Sequence, residues 1–251
     1  MDLGLTDRVF VITGGSRGLG LATARALVSA GARVVVSSRD PEAVERAAGD
    51  LGPAAVGVAA DNADEDAGER LVTAARDSFG RLDGALISVG GPPAASIGDT
   101  TEDQWRAAFE TIFLGSVRLA RAFAGALGEG GSLAFVLSSS VRSPIPGLAV
   151  SNGLRPGLAG FAKNLSDELG PRGVRVNALL PGRIATDRVR ELDSRSGDPD
   201  EVRDRLSQAI PLRRYGTPEE FGRVAAFLLS PAASYLTGVM LPVDGGAQRV
   251  I

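Results

Sequence analysis

With neither a cysteine nor a histidine in the chain, catalysis has no thiolate, no imidazole and no Cys/His zinc site to draw on. It falls to hydroxyls, carboxylates, arginines or a bound cofactor. The densest chemical signal is Thr13-Gly14-Gly15-Ser16-Arg17-Gly18-Leu19-Gly20, set between the apolar run Val9-Phe10-Val11-Ile12 and the Ala-rich stretch Leu21 to Ala30. Glycines at 14, 18 and 20 permit a tight turn and let the backbone approach a pyrophosphate lying on a helix N-terminus. The order strand, glycine turn, helix predicts a dinucleotide site. A second apolar run ends Val36-Ser37-Ser38-Arg39, and Ser38 stands where an NAD-binding chain would carry an acidic residue for the ribose hydroxyls. Ser38, Arg39 and Arg17 together favour a 2′-phosphate, so the expected cofactor is NADP(H).

The elements that position these residues alternate in type. Beyond the two runs named, Ala55-Val56-Gly57-Val58, Ala85-Leu86-Ile87, Leu133 to Leu137 and Val174 to Leu179 are apolar on successive residues, as parallel strands covered on both faces must be. Helical stretches separate them. Thr101 with Gln104 predicts a capping box, and Thr217-Pro218-Glu219-Glu220 places a cap, a first-turn proline and an N3 glutamate in order. The pattern predicts one doubly wound Rossmann-type α/β domain over residues 1–251, its parallel sheet about seven strands wide. The polar, Gly/Pro-containing stretch from Glu191 to Asp200, within a wider region 191–215, reads as a mobile segment over a substrate site.

The spacing Thr-Gly-x-x-x-Gly-x-Gly resembles that of the short-chain dehydrogenase/reductase family, and three further motifs agree. Asp61 resembles its adenine-side aspartate, Pro181-Gly182-Arg183-Ile184-Ala185-Thr186 its Pro-Gly-x-Ile-x-Thr segment beside the nicotinamide, and Val243-Asp244-Gly245-Gly246 its last strand ending. The resemblance implies that Gly14, Ser16, Arg17, Gly18, Leu19, Gly20, Ser38, Arg39, Asp61, Asn62, Gly90, Arg155, Pro181, Gly182, Ile184 and Thr186 bind the cofactor.

In that family carbonyl reduction uses Asn, Ser, Tyr and Lys, and here the resemblance breaks. Aligned on Gly157-Leu158-Ala159-Gly160-Phe161, the Tyr-x-x-x-Lys helix has Ser151 for Tyr and Arg155 for Lys. Ser88-Val89-Gly90 replaces Asn-Ala-Gly, and Ile112 stands at the water-relay Asn. Only Ser138, followed by Ser139 and Ser140, keeps its family role. An aliphatic hydroxyl and a guanidinium cannot repeat Tyr/Lys proton transfer. Four residues apart, Ser151 and Arg155 share a helix face, so the guanidinium is expected to bind ribose or to stabilise an oxyanion, with Ser138 and Ser151 donating hydrogen bonds. Arg142 is an alternative anion-binding group. A water held by Ser138 and Ser151 is the favoured proton donor, since Tyr215 and Tyr235, the two tyrosines, read as packing or surface residues.

Two functions follow from the resemblance. One is an NADP(H)-dependent oxidoreductase acting on a C=O, C=N or conjugated C=C bond of a small molecule; the other is an inactive cofactor-binding homologue serving as a sensor or partner subunit. The intact Pro181 to Thr186 segment favours the first. The family usually assembles as a tetramer, which implies a homotetramer through helices Thr101 to Leu127 and Ser151 to Leu169. A formal net charge of −3 and a pI near 5.2 offer phosphate backbone no broad basic surface. No apolar run is long enough to span a membrane and no leader pattern opens the chain, so a soluble, cytoplasmic protein without nucleic-acid or membrane partners is expected. Of the 27 Lys and Arg residues only Lys163 is a lysine, a bias that makes surface arginines ordinary in this chain.

Overall fold

The computed structural model describes residues 2–92 and 94–249. Seven parallel strands form one sheet in the order β3-β2-β1-β4-β5-β6-β7: β1 Val9–Ile12, β2 Arg33–Ser38, β3 Ala55–Ala59, β4 Gly84–Ser88, β5 Ser132–Val136, β6 Arg175–Pro181 and β7 Met240–Val243. Every run read as a strand lies in or against one of them. Alternation within a strand divides its side chains between two cores. Val9 and Val11 face α3 (Ala67–Phe79), α5 (Gly115–Ala126) and α6 (Ala149–Leu169); Phe10 and Ile12 face α1 (Gly18–Ser29), α2 (Pro41–Leu51) and α9 (Pro218–Leu229). Phe10, Phe123, Phe135 and Phe221 are fully buried in these layers, and truncating one such ring to alanine typically costs about 3–5 kcal/mol.

Both capping boxes form: Thr101 and Gln104 exchange hydrogen bonds of 3.0 and 3.3 Å at the start of α4 (Glu102–Ala108), and Thr217 and Glu220 do so at α9. The stretch expected as one helix from Thr101 to Leu127 is not uniform. A π-helical turn, Phe109–Leu114, joins α4 to α5 around buried Ile112, whose carbonyl accepts 2.6 Å from Ser116 Oγ. The region 191–215 contains helical segments: α7 (Asp187–Ser194) and α8 (Pro199–Ser207) occupy much of it, capped by Thr186 and Asp198. Their caps and proline are what composition alone reads as loop chemistry.

Strand order reverses between β1 and β4, where the crossovers leave to opposite sides and open a crevice at the carboxyl edge of the sheet. Thr13 closes its floor. Its Oγ1 donates 2.9 Å to the Ser88 carbonyl and accepts 2.8 Å from the Ser88 amide, stitching the ends of β1 and β4 together.

Candidate active site

The glycine turn is shaped by contact as much as by torsion. Gly14 and Gly18 adopt φ of 60° and 55°, and a Cβ at Gly20 would lie 2.3 Å from the Gly14 carbonyl oxygen. The first turn of α1 has no acidic residue and its cap, Arg17, makes no side-chain bond to it. Amide groups at a helix start without such partners attract an anion, so this cradle fits the pyrophosphate of a dinucleotide. At the end of β2, Ser38 Oγ donates 2.9 Å to the Asp40 carbonyl, and exposed Arg39 lies 3.9 Å from Asp61. Asn62 Nδ2 reaches 3.4 Å to the Ser88 carbonyl, and Gly115 lets α5 close on Asn62, where a Cβ would meet its carbonyl oxygen at 2.3 Å. Residues 13–20, 38, 39, 61, 62 and 88–90 thus gather along one edge.

The Pro181–Thr186 segment lies across the crevice. Thr186 Cγ2 is 3.8 Å from where a Cβ on Gly18 would be, so the two ends of the site adjoin. Ile184 is buried and bridges Gly216, and Gly182 sits where any Cβ would strike Asp244. Behind this segment Arg183 pairs with buried Asp193 of α7, and Asp193 accepts 3.1 Å from the Tyr215 hydroxyl. Burial raises the Tyr215 phenol, against the opposing effect of Arg183, and Asp193 raises it further. Tyr215 is therefore committed to a carboxylate, while Tyr235 is fully exposed.

Ser138 stands two residues past the end of β5, and Ser151 and Arg155 lie in α6. Ser138 caps a short 3-10 turn, its Oγ accepting 3.1 Å from the Ser140 amide. Ser151 is buried one helical turn before Arg155. Pro156 follows directly, and its missing N–H leaves the Asn152 carbonyl without its helical partner. Arg155 itself is only 6% exposed; its Nη1 donates 2.9 Å to the Val136 carbonyl and its Nη2 3.2 Å to the Val89 carbonyl. The guanidinium is thereby fixed between the carboxyl ends of β5 and β4. Burial, then the charge of Arg188, bring it down to about 10, so it stays protonated at neutral pH. Arg142, the alternative anion group, spends Nη2 on the Met240 carbonyl at 2.9 Å.

Sequence reasoning misses Arg188 of α7 and Arg195 at its C-cap, which reach the loop following β4: Arg188 Nη2 donates 2.6 Å to the Pro92 carbonyl and Arg195 Nη1 2.9 Å to the Ala94 carbonyl. In an arginine-rich chain nothing marks them except their place just after Thr186.

Residues 14–248 match the family model described as Enoyl-(Acyl carrier protein) reductase. The chain belongs to the short-chain dehydrogenase/reductase family. It is an oxidoreductase. Among relatives in this family, L-rhamnose 1-dehydrogenase (NAD(P)(+)) of Azotobacter vinelandii is 35% identical over 96% of this chain and 97% of its own length. 3-oxoacyl-[acyl-carrier-protein] reductase of Synechocystis is 34% identical over 96% and 97%. The crystal structure of L-sorbose reductase from Gluconobacter frateurii, complexed with NADPH and L-sorbose, superposes with a TM-score of 0.92 at 29% identity, covering 100% of both chains.

Proposed function

We propose that this oxidoreductase is an NADP(H)-dependent reductase of a small organic substrate and that Ser138, Ser151 and Arg155 form its altered catalytic site. The observation that carries the reading is the buried Arg155 guanidinium, held on the Val89 and Val136 carbonyls at the crevice. When bound, the dinucleotide supplies a hydride. The cradle at Gly14, Gly18 and Gly20 holds its pyrophosphate, Arg17, Ser38 and Arg39 meet its 2′-phosphate, Asp61 and Asn62 flank its adenine side, and Gly90, Pro181, Gly182, Ile184 and Thr186 line its nicotinamide side.

Arg155 stands in for the family lysine as fixed positive charge, already oriented and desolvated, against the anion that develops as hydride arrives. Ser138 donates to the substrate heteroatom, and Ser151 shares a water with it as proton source. A relay toward Ile112 is closed in this arrangement, because the Ile112 side chain is buried and its carbonyl is taken by Ser116. A conjugated C=C fits this equipment best: hydride addition at the far carbon gives an enolate that needs charge stabilisation first and takes its proton from water afterwards. C=N and C=O bonds are the other candidates, with oxidation as the reverse reaction. The family names of the 3-oxoacyl reductase and the NADPH-complexed sorbose reductase support both the reaction class and the cofactor.

We further take the enzyme to be a cytoplasmic homotetramer without nucleic-acid or membrane partners. The exposed Phe109 ring stacks on Phe113 at 5.2 Å beside exposed Gly153, Gly157 and Gly160 of α6, a small-residue face suited to a partner helix. No helix among the described residues is long and apolar enough to cross a membrane. Sedimentation at micromolar concentration tests the assembly, and a strict monomer refutes it.

Single-turnover hydride transfer from NADPH to a panel of enones, imines and ketones tests the chemistry. Ser138→Ala is expected to lose ~100- to 1,000-fold in turnover with NADPH affinity retained, whereas Arg155→Ala loses both. If both variants turn over like wild type, the proposed site is wrong.

A further inference from the structure

The loop after β4 carries more positive charge than its surroundings neutralise. Arg155, Arg188 and Arg195 donate to the carbonyls of Val89, Pro92 and Ala94 in turn. One carboxylate serves two of the three: Glu191 accepts 3.1 Å from Arg188 at each oxygen and 3.3 Å from Arg195. Arg155 pairs with no carboxylate among the described residues, although it is the most buried of the three. The Val89 and Pro92 carbonyls are three residues apart, at most roughly 10 Å even in extended chain, so the deep and rim guanidiniums flank one short stretch of backbone. That stretch opens onto free space. A Cβ on Gly90 would touch nothing, while one on Gly91 would lie 3.6 Å from Arg188 Nε.

A buried guanidinium bonded to neutral carbonyls alone has lost its water without gaining a counter-ion, an imbalance that an incoming anion corrects. We propose that the substrate carries a carboxylate next to its reducible bond, bound by Arg155 at depth with Arg188 at the rim. The planar five-donor fork of arginine matches a carboxylate, and Arg155 uses only two donors on the backbone. Arg188 is half committed to Glu191 and adds the second, more exposed contact. The inference rests on the reductase reading above, since it assigns the substrate class of that same site.

The test is calorimetry on NADPH-loaded protein with crotonate against its neutral isostere crotonamide, and with inorganic phosphate as a competitor. Loading the cofactor first separates a substrate carboxylate from any contact Arg155 makes to ribose. Wild type is expected to favour crotonate ~10- to 100-fold, the worth of a charge-assisted hydrogen bond. Arg188→Ala shrinks that preference, and Arg155→Gln, loaded at NADPH concentrations raised to offset its weaker cofactor binding, abolishes it. Arg188 is one-third exposed, so its variant decides the matter if Arg155→Gln fails to fold. Equal binding of acid and amide, a preference that survives Arg188→Ala unchanged, or phosphate displacing crotonate more effectively than crotonate itself binds would each overturn the proposal. In the turnover assay the pair is 2-oxobutanoate and 2-oxobutanamide, whose carbonyl beside the acid or amide accepts hydride and then a proton to give the 2-hydroxy compound, and this pair keeps the two readings apart. Acids preferred in binding with nothing reduced sinks the reductase but not the carboxylate site; acids and amides reduced equally sinks the carboxylate site but not the reductase.

Discussion

The two ends of the crevice are made differently. At the nucleotide end, under β1 and β2, the site is backbone: glycines forced by φ near 60° or by carbonyls within 2.3 to 2.8 Å of where a Cβ would sit, and amides left uncapped at α1. At the substrate end, over β4, β5 and β6, it is side chain: arginines reaching across 66 to 101 residues of sequence to fixed carbonyls. Backbone cradles tolerate almost no substitution, because the ligand and the next turn occupy the same space. A side-chain lining can be exchanged while the fold around it stays intact. Under the proposed register of α6, that contrast would let one chain keep the Gly14, Gly18 and Gly20 turn while carrying Ser151 and Arg155 in place of the family Tyr and Lys.

Breaking the backbone end should give the largest effect. Gly20→Ala drives a methyl into the Gly14 carbonyl, so NADPH binding is expected to disappear from calorimetry and the melting temperature to fall, overpacking of this kind costing about 1–3 kcal/mol. A variant that binds NADPH normally would mean the turn is not the cradle described.

The next test stays at the nucleotide end, at the 2′-phosphate. Arg39→Asp is expected to reverse the preference for NADPH over NADH by ~10- to 100-fold, the worth of a charge-assisted bond to phosphate. Arg39 already lies 3.9 Å from Asp61, so the new carboxylate would also face an existing one. Equal wild-type affinities for the two cofactors would remove the NADP assignment.

At the side-chain end the charge on Arg155 predicts opposite pH trends for activity and stability. Burial brings the guanidinium down to about 10, so turnover is expected to fall as the pH rises through that value, with no limb from a tuned phenol below it. For stability the sign reverses: above about pH 10 the unfolded chain holds this proton and the folded one does not, so the contribution of Arg155 to stability rises with pH. Subtracting Arg155→Met from wild type isolates it. A difference that is flat through pH 10 to 11 contradicts the burial argument.

The smallest effect belongs to Tyr215. Tyr215→Phe removes one hydrogen bond to Asp193 and is expected to cost about 1 kcal/mol of stability with turnover nearly unchanged. A large loss of turnover at constant stability would instead make Tyr215 the proton donor and undo the assignment to water.

Sequence by itself determines the sheet and the cofactor turn. Strands buried on both faces must be apolar at successive positions, and Gly14, Gly18 and Gly20 answer to constraints only a few residues long, so both are legible in one dimension. Helical spacing in the sequence also puts Ser151 and Arg155 on one face of α6, where the structure has both buried. What the sequence cannot read is where an arginine ends. Arg155, Arg188 and Arg195 are three among many, and only the packing of α6 and α7 against the loop after β4 brings them to successive carbonyls of that loop. The Arg183–Asp193–Tyr215 group is invisible for the same reason. Each depends on distances between segments far apart in the chain, set by how helices settle on the sheet and not by any local preference.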